Sequence, residues 1–271
     1  MTKLLALARI TFYEGIRNKS VFGVILFSLF IFGLNVAVAG FFMRDIDKVT
    51  IDMNLSALSF AGLLLIFFIV INLMAKDIDK KTVHVVLAKP ISRVQYVWGK
   101  YLGVVLFIAV SLATLFLISC LTVLLVKGLY SDYFEEFSWT VFFVAAIFVF
   151  VKNAVLSAVV ILFSTITSNS FITLIFSVSV FIVGTTIEEV LFFLKSALSV
   201  QEVAISQTLR TVIEFVSYLV PNLAAFDYKT AAAHGLMPTL KEMGFSIGYG
   251  IVYIAVLLFF SSILFCRREF N

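Results

Sequence analysis

Few residues in this chain could do chemistry, and their spacing argues against most of it. The adjacent carboxylates Glu188-Glu189 are the nearest approach to a catalytic pair. A membrane-embedded glutamic protease would need an arginine close by, yet the chain runs on as Val190-Leu-Phe-Phe-Leu194 with no arginine before Arg210. The pair is better suited to capping a helix at a membrane surface, near a substrate exit. His84 and His234 fall in segments that the charge pattern below assigns to opposite sides of a membrane, so they cannot share a site. Six methionines, two histidines and two cysteines are scattered without convergence. That leaves no ligand set for a metal and gives no support for direct copper transport. Cys120 lies inside an apolar run and Cys266 at the inner end of the last one, so neither offers a disulfide framework. No G-x-x-x-x-G-K-[ST] loop is present, because Gly99-Lys100 has Val94 where the partner glycine belongs. The chain reads as non-enzymatic, with no nucleotide or other cofactor of its own.

Lys152, followed by Asn153, is the most conspicuous residue left, because it sits in the middle of an apolar run. An ionisable group at mid-bilayer costs about 2.5–3.5 kcal/mol on insertion scales and usually faces a bundle interior or an aqueous cavity. Lys152 and Asn153 are therefore candidates for a translocation path, contacting an anionic group of a substrate. A structural alternative is equally open: pairing with a buried acid or a helix-end carbonyl, or snorkelling toward the interface. Asn35 and Asn72 also lie within apolar runs, and such amides tie helices together by hydrogen bonds of about 0.6–2 kcal/mol.

The elements that must carry these residues are membrane spans. Hydrophobic residues make up 62% of the 271 and charged residues only 13%, against roughly half and a quarter in soluble domains. Runs near the 20 or so residues that cross a bilayer occur at about 21–43, 54–75, 98–126, 139–164, 171–194 and 244–266. Ala37-Val38-Ala39 resembles a signal-peptidase site, but the run around it is too long for an ordinary signal peptide and is expected to be an uncleaved first span. Neither an internal repeat nor a low-complexity linker interrupts the chain, which is expected to be one domain over 1–271.

Charge orients the bundle. Twelve of the twenty basic residues fall in the N-terminal segment, between spans two and three, and after span six. The opposite loops are acidic on balance, with Asp45, Asp47, Asp52, Asp132, Glu135 and Glu136. The positive-inside rule places both termini in the cytoplasm. The net charge of +4 then reflects loop topology rather than nucleic-acid binding.

Three segments are neither spans nor ordinary loops. Residues 3–19 place Leu4, Leu5, Ala8, Phe12 and Ile16 on one helical face, with Lys3, Arg9, Glu14 and Arg17 largely elsewhere. That pattern suits an interfacial helix on anionic lipid headgroups, or a basic anchor that simply orients span one. Residues 77–90 read as a short amphipathic cytoplasmic helix. Asp77 or Asp79 caps its start, Val83, Val86 and Leu87 form a small apolar face, and Lys89 and Pro90 close it. Ser92-Arg93-Val94-Gln95 then forms a capping-box pattern that opens the next helix. Residues 195–243 carry apolar helical patterning around 200–220, then Pro221-Asn222, then 224–235. They are too interrupted to span, and suit helices on the outer surface or dipping partly into the outer leaflet.

The stretch Lys89-Pro-Ile-Ser-Arg-Val-Gln-Tyr-Val-Trp-Gly-Lys100 resembles the K-P-x-S-R-…-G-K segment of the ABC-2 type permeases, near the branch that includes the nitrous-oxide-reductase maturation permease. The basic start near Ala8–Ser20, Pro221-Asn222 with Phe226-Asp227, and the ending Phe265-Cys-Arg-Arg-Glu-Phe270 fall in the same order. The resemblance implies an all-α membrane protein with six transmembrane helices, an N-terminal interfacial helix (Leu5, Arg9, Phe12, Arg17), a coupling helix between spans two and three, and a helical extracytoplasmic segment between spans five and six. It further implies a multi-pass permease of a bacterial or archaeal cytoplasmic membrane, paired with a second copy or a paralogue. A separate cytoplasmic ATPase would bind ATP and Mg. Its docking site would be the coupling segment, with Asp77, Asp79, Val83, Val86, Leu87, Lys89, Pro90 and Arg93.

Overall fold

The computed structural model describes residues 2–41, 45–74, 91–134, 137–167, 169–200 and 207–268. Most of these are helical. Helix α1 (Thr2–Ile16) precedes α2 (Ser20–Ala39), α3 (Ile46–Leu65), α4 (Arg93–Leu129), α5 (Trp139–Ile166) and α6 (Ser170–Val200). Helix α7 (Gln207–Leu219), the short α8 (Lys229–Ala233) and the final α9 (Leu240–Arg267) complete the order. Among the described residues, six helices are long and apolar enough to cross a membrane: α2, α3 with its extension to Met74, α4, α5, α6 up to Leu194, and α9. This is a multi-pass membrane protein.

Burial sorts the six spans. In α3 and α5, 67% and 72% of the apolar window is covered, whereas the other four have a third or less covered. Helices α3 and α5 therefore form the centre, and α2, α4, α6 and α9 surround them. The centre is held by close approach. At Gly62 of α3 an added Cβ would lie 2.5 Å from the Asn153 amide nitrogen of α5, so the absent side chain is what admits that asparagine. Near its end α3 passes through a π turn, Ile66–Val70. Such a turn shifts the register of the last helical residues leading to Met74.

Helix ends follow local signals. Ser92 accepts from the Gln95 backbone N–H at 3.2 Å, and the Gln95 side chain accepts from the Ser92 N–H at 3.2 Å. This is the capping box expected from the sequence. Thr239 and Glu242 make a second one that opens α9 four residues before the expected start of the sixth span. Helix α4 runs for 37 residues, about 55 Å at 1.5 Å per residue. That exceeds a hydrocarbon core of about 30 Å and leaves whole turns at its ends for Arg93, Lys100 and Lys127.

Polar ties between spans are sparse. Asn35 of α2 donates to the Thr50 carbonyl of α3 at 3.0 Å. Asn54 donates to the same carbonyl at 2.8 Å and accepts from Ser119 of α4 at 2.9 Å. Asn35 thus joins helices as anticipated. Asn72 instead donates to Phe68 of its own helix at 2.5 Å, because the exposed face it occupies presents no neighbouring backbone.

Candidate functional site

Two polar constellations stand at opposite ends of the bundle. The first gathers at the end that carries the termini, where α5 and α9 finish, α4 begins and the described part of α3 reaches Met74. A helix C-terminus carries about half a unit of negative charge on carbonyls with no intrahelical partner. The ends of α5 and α9 each meet an arginine, and Lys100 meets α3 at Leu73.

Lys100, almost wholly buried, donates to the Leu73 carbonyl of α3 at 3.0 Å and to the Glu14 carboxylate of α1 at 3.4 Å. The Arg93 guanidinium donates to the carbonyls of Phe265, Cys266 and Arg268 at 3.2, 3.0 and 2.7 Å. The Arg268 guanidinium in turn donates to Ser164, Thr165 and Thr167 at the end of α5, at 3.4, 2.8 and 2.8 Å. Beside these bonds the fully buried rings of Tyr96 and Phe265 stack, with centroids 5.2 Å apart.

Helix α1 belongs to this assembly. Its covered side is Leu7, Ala8, Thr11 and Gly15, seated against Gly99, Gly103 and Phe107 of α4. That differs from the face drawn from periodicity. Leu5 and Ile16 are exposed, together with Ile10 and Tyr13, and Phe12 is only partly covered. Packing on the glycine side of α4 brings Leu7, Thr11 and Gly15 inward and turns Leu5 and Ile16 outward. Arg9 lies over the Tyr13 ring at 5.6 Å, and Arg17 lines an open pocket of about 650 Å³ between α1 and the end of α3. Of the expected docking residues, Asp77, Asp79, Val83, Val86, Leu87, Lys89 and Pro90 lie outside the described residues, as does His84. Arg93 is engaged on the end of α9.

The second constellation is an open cavity of about 780 Å³ at the other end, lined by Asp52, Ser56, Lys152, Glu188, Glu189, Asp227 and Lys229 among others. Lys152 is the fourteenth residue of the 28 in α5. Its ammonium lies 3.5 Å from the Asp227 carboxylate and 5.8 Å from the centroid of the Phe181 ring. Lys229 approaches the same carboxylate oxygen at 3.4 Å. Asp227 reaches a residue halfway along α5 because the chain around it turns back into the bundle. Leu223 and Phe226 are fully buried, and the Leu223 N–H donates to the Gly184 carbonyl of α6 at 2.8 Å.

Asn222 holds that turn. Its side-chain oxygen accepts from the N–H groups of Ala224 and Ala225, its amide donates to Glu188, and its backbone N–H donates to the Tyr249 hydroxyl. Of the segment between the last two spans, the stretch from Pro221 to Ala233 is therefore packed into the bundle, while Phe215 and Tyr218 of α7 stay exposed. Asn153 faces α3 at Gly62 rather than the cavity. Glu188 takes its hydrogen bond from Asn222, and Arg210 pairs with Glu214 at 2.8 Å, so no arginine of the described residues completes a Glu-Glu catalytic pair. Among those residues no three His, Cys, Asp or Glu side chains converge.

The model of the family described as ABC-2 family transporter protein matches residues 5–270. The chain belongs to the ABC-2 transporter family. No curated protein matches it significantly. The match is to the family as a whole and does not single out the nitrous-oxide branch. Within this ABC-2 chain, Arg93 of the 89–100 stretch closes α9, Lys100 binds α3 at the Leu73 carbonyl, and Asn222 and Asp227 hold the inserted turn. Sequence reading picked out these stretches without their partners. It named Arg268 and Glu14 only as charges and passed over Gly62, since nothing local marks a residue whose partner is a distant backbone carbonyl or a facing side chain.

Proposed function

We propose that this chain is the transmembrane subunit of an ATP-driven transporter, working as a pair with a second copy or a paralogue. A separate cytoplasmic ATPase binds ATP and Mg. The family match over residues 5–270 carries this reading. Both termini and the 75–90 segment face the cytoplasm of a bacterial or archaeal cell, as the distribution of basic residues requires. The ATPase grips the 77–89 segment and also touches α1. Closure of the ATPase pair on nucleotide moves the two permeases and so changes access to the cavity around Lys152 and Asp227. Within that cavity Lys152 is neutralised by Asp227, so it serves an anionic substrate group only if the pair opens.

Mild extraction from a bacterial membrane that contains the native ATPase, followed by mass spectrometry of what co-purifies, tests this directly. A stoichiometric ATPase subunit is expected. Its absence beside a well-folded permease would refute the assignment. Replacing Val83, Val86 and Leu87 together by Ser is expected to release the ATPase while all six spans remain inserted. Retained binding would move the docking site elsewhere.

A further inference from the structure

We infer that Arg93 and Arg268 form a two-step relay that carries movement from the start of α4 through the end of α9 to α5, the helix that bears Lys152. The inference rests on the reading of the chain as an ATPase-driven permease, in which force arrives on the segment just before Arg93. Three observations support a relay beyond ordinary packing.

The two links are in series on one residue. Arg93 donates to the Arg268 carbonyl at 2.7 Å, and the Arg268 side chain donates to Thr165 and Thr167 at 2.8 Å each. Displacement of Arg93 therefore acts on the same residue that grips α5. The bonds also hold what apolar contacts do not. A cation held on helix-end carbonyls loses directional, charge-assisted bonds when that helix shifts along its axis, and so resists the shift. The Tyr96–Phe265 stack beside Arg93 adds a flat contact that holds α4 and α9 at one level.

The input side is stiff as well. Helix α1 is seated on Gly99 and Gly103 of α4, and Lys100 ties Glu14 of α1 and the end of α3 to the same turns. Helix α1 and the first turns of α4 thus move as one body whichever of them the ATPase pushes. The output side is the cavity. Lys152 lies about halfway along α5, and its partner Asp227 belongs to the inserted turn. An axial shift of α5 therefore acts directly on the Lys152–Asp227 contact and on the shape of the cavity around it. Arg93 and Arg268 are positioning residues and need no contact with substrate.

The test uses the whole transporter with its ATPase in vesicles, with Cys120 and Cys266 replaced by Ser. One reporter thiol is introduced at Ser56, which lines the cavity on α3. Labelling by a membrane-impermeant maleimide is followed without nucleotide and with ATP plus vanadate. The unaltered relay should show a nucleotide-dependent change in labelling rate of roughly fivefold or more. Arg268→Ala should retain the ATPase and hydrolyse ATP while that ratio falls close to one, and Arg93→Ala should lower the ratio in the same way. Arg93→Lys, which keeps a multi-donor cation, should restore part of the response. If either alanine variant fails to assemble, Tyr96→Leu, which removes the stack and leaves both arginines, should reduce the ratio severalfold in its place. A full response in the alanine or leucine variants would overturn the relay. Failure of the ATPase to bind the unaltered permease would instead overturn the underlying assignment, and is read separately from the co-purified protein.

Discussion

Asp227→Ala is expected to destabilise the folded bundle by about 3 kcal/mol, while Lys152→Met is expected to be close to neutral. The asymmetry follows from burial and from who else is present. The Lys152 side chain is 8% exposed and that of Asp227 is 32% exposed. Removing the carboxylate leaves an ammonium halfway along a membrane-spanning helix, with the Phe181 ring at 5.8 Å as its remaining contact among the described residues. An isolated cation at that depth costs about 2.5–3.5 kcal/mol on insertion scales. Removing the lysine leaves a carboxylate that is partly wet and still has Lys229 at 3.4 Å, and methionine fills the stem's volume without a charge. Lys152→Met combined with Asp227→Ala should recover most of what Asp227→Ala loses. Thermal unfolding of the four proteins in detergent gives the cycle. Equal losses for the two single variants would show that the lysine is not the buried partner.

Gly103→Val is expected to detach α1, at a cost of about 3 kcal/mol. A Cβ at Gly103 would lie 2.5 Å from the Ala8 carbonyl oxygen and 2.6 Å from the Thr11 Cβ. Both belong to the backbone or to a β-branched position and cannot swing aside, so the helices must separate. Gly23→Ala and Gly33→Ala are the controls. Nothing lies within 4 Å of either added Cβ, and both should be neutral or stabilising by up to about 1 kcal/mol. A cysteine placed at the fully buried Thr11 should resist labelling in the parent protein and react once Gly103 is Val. Continued protection with an unchanged melting temperature would mean that α1 is not held by this seam. Loss of ATPase co-purification in the same variant would place α1 among the elements on which docking depends.

How much of this was readable depends on distance along the chain. The capping box at Ser92 and Gln95 lies within four residues, and its chemistry is complete there. The expected spans overlap the observed ones because each buries its own backbone bonds and needs only length and apolarity. Partners were not readable. Lys152 and Asp227 are 75 residues apart, Lys100 and Glu14 are 86 apart, and Arg93 reaches a carbonyl 175 positions away. A lone lysine in an apolar run announces that it needs a partner without saying which of several acids supplies it. The side of α1 that packs on α4 was not readable for a related reason. Apolar periodicity marks which residues avoid water, but in a membrane protein both lipid and protein satisfy them. Small residues such as Gly99 and Gly103, invisible to hydropathy, decided which side packs.

The sequence alone determined the solvent of this protein, the count of its spans and the place where α4 begins. These are local or compositional properties, fixed by the need to satisfy backbone groups in lipid and to stop helices at caps. Only the tertiary structure decided which helices form the centre, how deeply the segment around Asp227 enters, and that the ends of α5 and α9 are each closed by an arginine carried by another span. Those outcomes rest on close approach at glycines and on carbonyls left free at helix ends. Every helix offers such carbonyls in the same way, so the choice among them is made when the helices pack.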